Sequence, residues 1–231
     1  MTEIKLFNTP EHECAYLPDE LSITQFVNPD EDFDIGLYTF LSQHGFRRSG
    51  DHIYRPKCPS CNACKAIRVA VDEFIPSKGQ KRCINRAGKF KVQIRPAQFY
   101  DNHYQIYEQY IANRHQDGEM YPPTEELYKR FLLCDWSRTN FLEVMDGEKL
   151  IACAVFDHLF DGLSAVYSYF DTDYEKYSLG KLLVMVQIEH AKSLKLPYLY
   201  LGFQIDECQK MNYKTQYQPS EQLIDNKWQR I

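Results

Sequence analysis

No apolar signal-peptide core follows Met1-Thr2-Glu3-Ile4-Lys5, and no run of about 18 apolar residues occurs in the 231-residue chain. The first absence predicts a protein that is not exported, the second one that does not enter a membrane. A cytoplasmic location is the expectation, and in that reducing compartment the eight cysteines stay out of disulfides. Internal repeats and low-complexity tracts are missing as well. With 44% hydrophobic and 26% charged residues the chain is globular and can bury a sizeable core. Its length suits one large domain or two small fused ones. A surplus of cations is also absent, since the formal net charge is -5, which argues against a histone-like coat. One further absence is local. Between Pro76 and Pro96 there is no carboxylate, while Lys78, Lys81, Arg82, Arg86, Lys89, Lys91 and Arg95 follow one another. Clustered cations focus a potential that attracts phosphate or carboxylate whatever the net charge. A solvated hairpin face is the bland alternative, but Gly79, Gln80 and Asn85 among the cations suit close approach to an anion.

Ahead of that basic loop stands Cys58-Pro59-Ser60-Cys61-Asn62-Ala63-Cys64. Three thiolates at two-residue gaps can converge on one ion, and a closed tetrahedral site needs a fourth ligand. Cys14 is the natural candidate, with Cys83 and His12 as others. Simple packing of small buried thiols is the alternative. A ferredoxin-like run would need another Cys three residues after the third, and residues 65–68 hold none.

Hydrophobic periodicity places the elements. Short strands are predicted within residues 6–7 and 21–27, a helix over 34–45, a hairpin over 46–54, and a strand over 66–71 with Ile67, Val69 and Val71 inward. A second strand over 90–94 follows the basic loop, and a boundary is placed near residue 95. Helices are predicted over 100–113 and 125–133, strands over 139–145, 149–159 and 163–170, a helix over 178–193 and an apolar strand over 198–203. The polar tail, 204–231, is given one short helix over 206–211; Lys210 and Lys214 stand out in the otherwise uncharged segment 210–219. Two helices, three antiparallel strands, a helix and a strand are the order of an N-acetyltransferase-like half. In that layout the helix after the third strand offers its N-terminus to the phosphates of an acyl carrier. The loop leading to it, 174–181, has a single glycine, Gly180, which weakens the case for coenzyme A. The fold class is therefore α+β (mixed α/β): a small N-terminal α+β domain with the Cys motif, 1–95, fused to a GNAT-like acyltransferase domain, 96–231.

Cys58-Pro59-Ser60-Cys61-Asn62-Ala63-Cys64-Lys65, Pro76-Ser77-Lys78-Gly79-Gln80-Lys81-Arg82 and Met211-Asn212-Tyr213-Lys214-Thr215-Gln216-Tyr217 together resemble the bacterial branch of the arginyl-tRNA–protein transferase family. The resemblance runs from His12 to Trp228. It implies transfer of an amino acid from aminoacyl-tRNA to an N-terminal Asp or Glu of a protein. In the bacterial branch that amino acid is leucine, and the product is a destabilising terminus read by the N-degron proteolysis machinery. The implied partners are leucyl-tRNA and proteins that begin with Asp or Glu, with no membrane involved. The aminoacyl ester is already activated, so no cofactor is required; zinc or an iron–sulfur cluster at Cys14, Cys58, Cys61 and Cys64 is the one left open, as eukaryotic relatives carry a four-cysteine cluster. An acidic N-terminal side chain is expected at Lys78 or Arg82, with Lys214 as a third candidate and Gln80, Arg86 and Lys210 as further substrate-binding residues. By analogy of fold, backbone amides of 167–170 are expected to hold the oxyanion, and Asp171 or Tyr169 to relay the proton. The alternatives are arginyl transfer by the same chemistry, a GNAT-type N-acetyltransferase that uses acetyl-CoA, and a non-enzymatic metal-knuckle module that binds RNA.

Overall fold

A computed structural model describes residues 4–118 and 120–231. The first elements are short: β1 (Leu6–Asn8), β2 (His12–Glu13), β3 (Leu21–Ser22) and β4 (Thr24–Val27). Helix α1 (Ile35–Gln43) follows, capped as its acidic approach predicts: the Asp34 carboxylate accepts from the Leu37 amide. The hairpin β5 (Arg47–Ser49) and β6 (His52–Pro56) joins β4 and β1 in a four-stranded sheet of order β1-β4-β6-β5.

The remaining strands make one eight-stranded sheet. They are β7 (Lys65–Ala70), β8 (Lys91–Pro96), β9 (Thr139–Asp146), β10 (Lys149–His158), β11 (Gly162–Phe170), β12 (Tyr198–Gln204), β13 (Ser220–Ile224) and β14 (Lys227–Arg230). Their spatial order is β14-β13-β7-β12-β11-β10-β9-β8. The meander β9-β10-β11, the crossover helix α5 (Leu179–Ser193) and the strand β12, parallel to β11, stand in the expected acyltransferase-like order. The segment before residue 96 supplies β7 and β8, so residues 1–95 and 96–231 share this sheet. That is why β7 is so apolar: it lies between β12 and β13, with Ile67 and Val69 buried.

Two segments differ from the sequence expectation. The basic stretch is a helix, α2 (Lys78–Ala87), and not a loop. Ser77 and Gln80 form a reciprocal capping box, and Gln80, Cys83 and Ala87 turn the narrow buried stripe inward, which leaves the cations on the other face. The tail forms no helix at 206–211. A short 3₁₀ turn at Asn212–Gln216 leads into the β13-β14 hairpin, whose Asp225-Asn226 turn takes positive φ at both residues.

Helix α5 covers one face of the large sheet, with Leu179, Leu183 and Ile188 against Ile67, Val69, Val144 and Ile151. The other face is covered by α3 (Asp101–Arg114) and α4 (Glu125–Leu132), through Tyr107, Ile111, Tyr128 and Leu132. A third cluster, with Tyr38, Leu41, Phe46, Ile53 and Tyr200, joins α1 and the small sheet to the large one. No helix among the described residues is long and apolar enough to cross a membrane.

Candidate active site at an open seam of the sheet

Strands β11 and β12 pair over only three residues, Gly162–Ser164 against Tyr198–Tyr200. Beyond that point β11 stays with β10 and β12 stays with β7, so the carboxyl ends of the two parallel strands part. Irregularities on both strands accompany the parting. The register of β12 against β7 shifts between Tyr200 and Gly202, where Gly202 takes φ +81, a left-handed conformation that other residues resist, and the register of β11 against β10 shifts opposite Val155 and Phe156. A crevice at the carboxyl ends of parallel strands is where open α/β sheets place their ligands.

Two cations occupy this seam. The half-buried Arg47 of β5 donates to Ser164 Oγ at 3.2 Å and to the Ala165 carbonyl, next to Gly202. Lys214, 7% exposed, donates from Nζ to the Phe203 carbonyl and contacts Met211 Sδ at 3.5 Å. Its ammonium is pulled down to about 7, first by burial and then by the Arg47 charge; Cys208 and Cys64 oppose that pull. Tyr54 is pushed up by burial and feels Arg47 as well. Tyr167 Oη is buried without a hydrogen-bond partner among the described residues.

Beside the seam lies a cleft of ≈ 530 Å³ lined by Ser77, Gly79, Gln80, Arg82, Cys83, Arg86, Ser178, Lys181, Gln216 and Tyr217. The N-terminal turns of α2 and α5 both face it. Ser178 precedes α5 in a left-handed conformation, φ 54, and its side chain caps nothing, so the helix dipole and first amides are left to an outside anion. Arg82, Arg86 and Lys181 add side-chain charge. The cleft and the seam are joined by the 3₁₀ turn: Gln216 lines the first, Lys214 belongs to the second, and two residues span at most about 7 Å. Gln80 Nε2 donates to the Gln216 carbonyl at 3.1 Å and holds that turn against α2.

The residues singled out from the sequence divide accordingly. Arg82, Arg86 and Gln80 line the cleft, Gln80 as a buried tie whose side chain is committed to Ser77 and Gln216. Lys214 is in the seam. Lys78, the first residue of α2, is exposed and outside the lining. Lys210 pairs on the surface with Asp117 at 2.9 Å. Tyr169 does not reach a substrate: it is fully buried, and its hydroxyl lies 2.9 Å from His103 Nδ1 and 3.1 Å from the Tyr128 hydroxyl. His103 in turn sits 2.7 Å from Glu143, so this chain of polar groups braces α3 and α4 on the sheet. Asp171 is equally committed. One oxygen is 2.8 Å from Lys149 Nζ and the other accepts from the Asp173 amide at 2.9 Å. Asp171→Asn is therefore expected to keep transfer within about threefold of wild type, because an exposed-side ion pair carries little energy; a 100-fold loss in a single-turnover assay would return it to the chemistry. Sequence reasoning missed Arg47, which reads as half of an ordinary hairpin doublet.

Cys58, Cys61, Cys64 and Cys14 are all free and partly buried. Cys64 is pushed up to about 12, mainly by burial, with Cys58, Cys14 and Cys61 adding to it, so the four thiols are neighbours. Among the described residues, however, no three His, Cys, Asp or Glu are gathered as metal donors are. Their sulfurs satisfy themselves locally: Cys58 Sγ reaches Ser22 Oγ at 3.8 Å, and Cys61 Sγ accepts from the Ala63 amide at 3.5 Å. No chemical step is assigned to a metal or cluster at these thiols.

Comparison with known proteins places this geometry among relatives. Residues 12–82 match the family described as arginine-tRNA-protein transferase, N terminus, and residues 102–224 match its C terminus. An aspartate/glutamate leucyltransferase of Hahella chejuensis is 47% identical over 222 residues, covering 96% of this chain and 95% of the relative. One of Alcanivorax borkumensis is 47% identical over 228 residues, covering 99% and 94%. One of Teredinibacter turnerae is 46% identical over 232 residues, covering 100% and 96%.

Proposed function

This chain belongs to the arginine-tRNA-protein transferase family, and from that premise we propose that it transfers leucine from leucyl-tRNA to an N-terminal Asp or Glu of a protein, with the seam between β11 and β12 as the place of transfer. The product carries an N-terminal leucine, a terminus that marks the protein for proteolysis. The observation that carries the assignment of the site is the buried, weakly basic Lys214 two residues from a cleft rich in cations.

The nucleophile is an α-amine with an ordinary pKa of about 7.7–8.0, mostly protonated at neutral pH. It has to lose a proton to attack. Neutral Lys214 takes that proton, and the freed amine nitrogen then bonds to the ester carbonyl carbon. The carbonyl oxygen becomes an oxyanion beside the β11 backbone, whose amides lose their β12 partners past Ser164. Collapse re-forms the carbonyl and expels the terminal ribose oxygen, which takes the second proton from the attacking nitrogen and leaves as a hydroxyl, while Lys214 gives up its own proton to water. No acyl-enzyme is needed, and Cys208 and Cys64 stay spectators. Holding amine and ester together lowers the barrier by about 7–11 kcal/mol. The cleft provides that hold for the RNA: Arg82, Arg86 and Lys181 neutralise phosphates near the acceptor end, and α5 points its positive end at the same place.

The direct test offers labelled leucyl-tRNA and arginyl-tRNA to peptides that begin with Asp, Glu or Lys. Label is expected to move from leucyl-tRNA to the Asp and Glu peptides alone; transfer of arginine, or transfer to Lys, overturns the reading. The RNA-binding role of the cleft has its own readout. Arg82→Glu with Arg86→Glu is expected to weaken leucyl-tRNA binding at least about tenfold and to flatten the slope of log Kd against log salt by about two, one per lost phosphate contact. Unchanged affinity and slope would remove the cleft from RNA binding.

A further inference from the structure

Several arginines on the strands are satisfied by carboxylates; Arg47 and Arg55 of the small sheet are not, and of these two only Arg47 reaches the seam, since Arg55 bonds Gln25 and the His44 carbonyl. Arg48 pairs with Asp157 at 2.6 Å, Arg68 with Glu221 at 2.7 Å and Arg95 with Glu143 at 3.4 Å. None of the ion pairs among the described residues involves Arg47, although it sits in the seam. Its guanidinium is held by a hydroxyl and a carbonyl only, Ser164 Oγ and Ala165 O. Three of its five N–H donors are left over. Gly202 makes room for it, since a Cβ there would come within 2.9 Å of Nε. The other charged group of the seam, Lys214, is also cationic when protonated, and the titrating groups that act on it are Arg47 itself and the thiols of Cys208 and Cys64. A half-buried arginine without an anion, next to a lysine, is a costly arrangement that an incoming carboxylate relieves.

We propose that Arg47 is the specificity residue for the acceptor: its unpaired guanidinium binds the side-chain carboxylate of the N-terminal Asp or Glu and so fixes the adjacent α-amine in the seam. This assignment rests on the transfer reading above. It also explains how one site takes both acids, since the long, planar arginine fork accommodates a carboxylate one methylene nearer or farther. A neutral amide of the same shape leaves the guanidinium unpaired and is rejected. Bound carboxylate also offsets the Arg47 charge felt by Lys214, which makes the lysine a stronger proton acceptor only when the correct substrate is present.

The test compares kcat/KM for peptides beginning with Asp and with Asn, at saturating leucyl-tRNA, in wild type and Arg47→Gln. Wild type is expected to favour Asp by about 100-fold or more, as sites built around a polar partner do. Arg47→Gln should bring that ratio below about tenfold, through a raised KM for the Asp peptide, while leucyl-tRNA affinity stays at its wild-type value. An unchanged Asp/Asn ratio in folded Arg47→Gln overturns the proposal, as does an effect confined to leucyl-tRNA affinity. If Arg47→Gln fails to fold, Arg47→Lys is read on the same ratio. It keeps a cation without the fork, so a smaller but clear narrowing supports the role and an unchanged ratio overturns it. A wild-type protein that transfers no leucine to the Asp peptide would instead sink the transfer reading itself, which keeps the two failures apart.

Discussion

Lys214→Met is expected to lower kcat by roughly 10³-fold, within the range a general base contributes, while leucyl-tRNA still binds. The same substitution should make the protein more stable. A lysine 7% exposed whose ammonium is held near 7 costs folding free energy whenever it is charged. The sign follows from proton counts. Below about 7 the lysine is protonated in both states, and the native state carries the full cost of the buried charge. From about 7 up to the ordinary lysine value of about 10.4, the unfolded chain holds more protons than the folded one, so the cost fades as the pH rises. At pH 6 the methionine variant should therefore gain a few kcal/mol in denaturant unfolding, and near pH 10 little. Activity provides a second sign. Wild-type kcat should rise as the pH passes about 7 and Lys214 becomes neutral. Lys214→Arg, charged throughout, should be as inactive as the methionine variant. An active arginine variant would mean that Lys214 only contributes charge, and the base would have to be sought elsewhere.

The second large effect is on stability. Asp157→Asn is expected to destabilise by about 3–5 kcal/mol, because it leaves the fully buried Arg48 without its counter-charge. Both Asp157 oxygens bind the guanidinium, at 2.6 and 2.9 Å. Thr139 and Tyr38 donate hydroxyl protons to the same carboxylate at 2.6 and 3.1 Å. One carboxylate on β10 thus ties together α1, β5 and β9. The functional consequence runs along β5, where successive side chains alternate. Arg48 goes down into the ion pair and Arg47 goes across into the seam, so the pair holds the strand that carries the acceptor's anchor. Unfolding in urea measures the loss; a change under about 1 kcal/mol would show that the network is redundant. Replacing both partners together, as Arg48→Met with Asp157→Leu, should recover much of the stability that Asp157→Asn loses, because no charge is then left unpaired.

What could be read from the residues depended on how much each signal relied on its own neighbourhood. The meander and its crossover helix have strong alternation, a clear Asp146-Gly147 turn and a helix of full length, and they fall where periodicity puts them. Helix α2 went unread because its buried stripe is only Gln80, Cys83 and Ala87, with charge around it; the Ser77–Gln80 capping box was the signal that could have found it. The hairpin β13-β14 has almost no apolar pattern because it is an edge, and it forms by pairing with β7, about 150 residues earlier in the chain. Tyr169 and Asp171 looked suited to proton transfer by residue type and by fold analogy. Their burial and their partners, His103, Tyr128 and Lys149, are set by contacts far away in the chain.

From residue order alone came the family, the α+β class and the cationic segment, and Lys214 only as a candidate for holding the acidic side chain, since motifs and periodicity are properties of consecutive residues. Only the folded chain decided that burial weakens Lys214 as a base, that Arg47 has no anionic partner among the described residues, and that the cationic segment meets the helix end across a cleft. Those depend on burial, on the field of groups distant in sequence, and on where β12 leaves β11. Charge and solvation act through space, and a linear pattern does not encode who the spatial neighbours are.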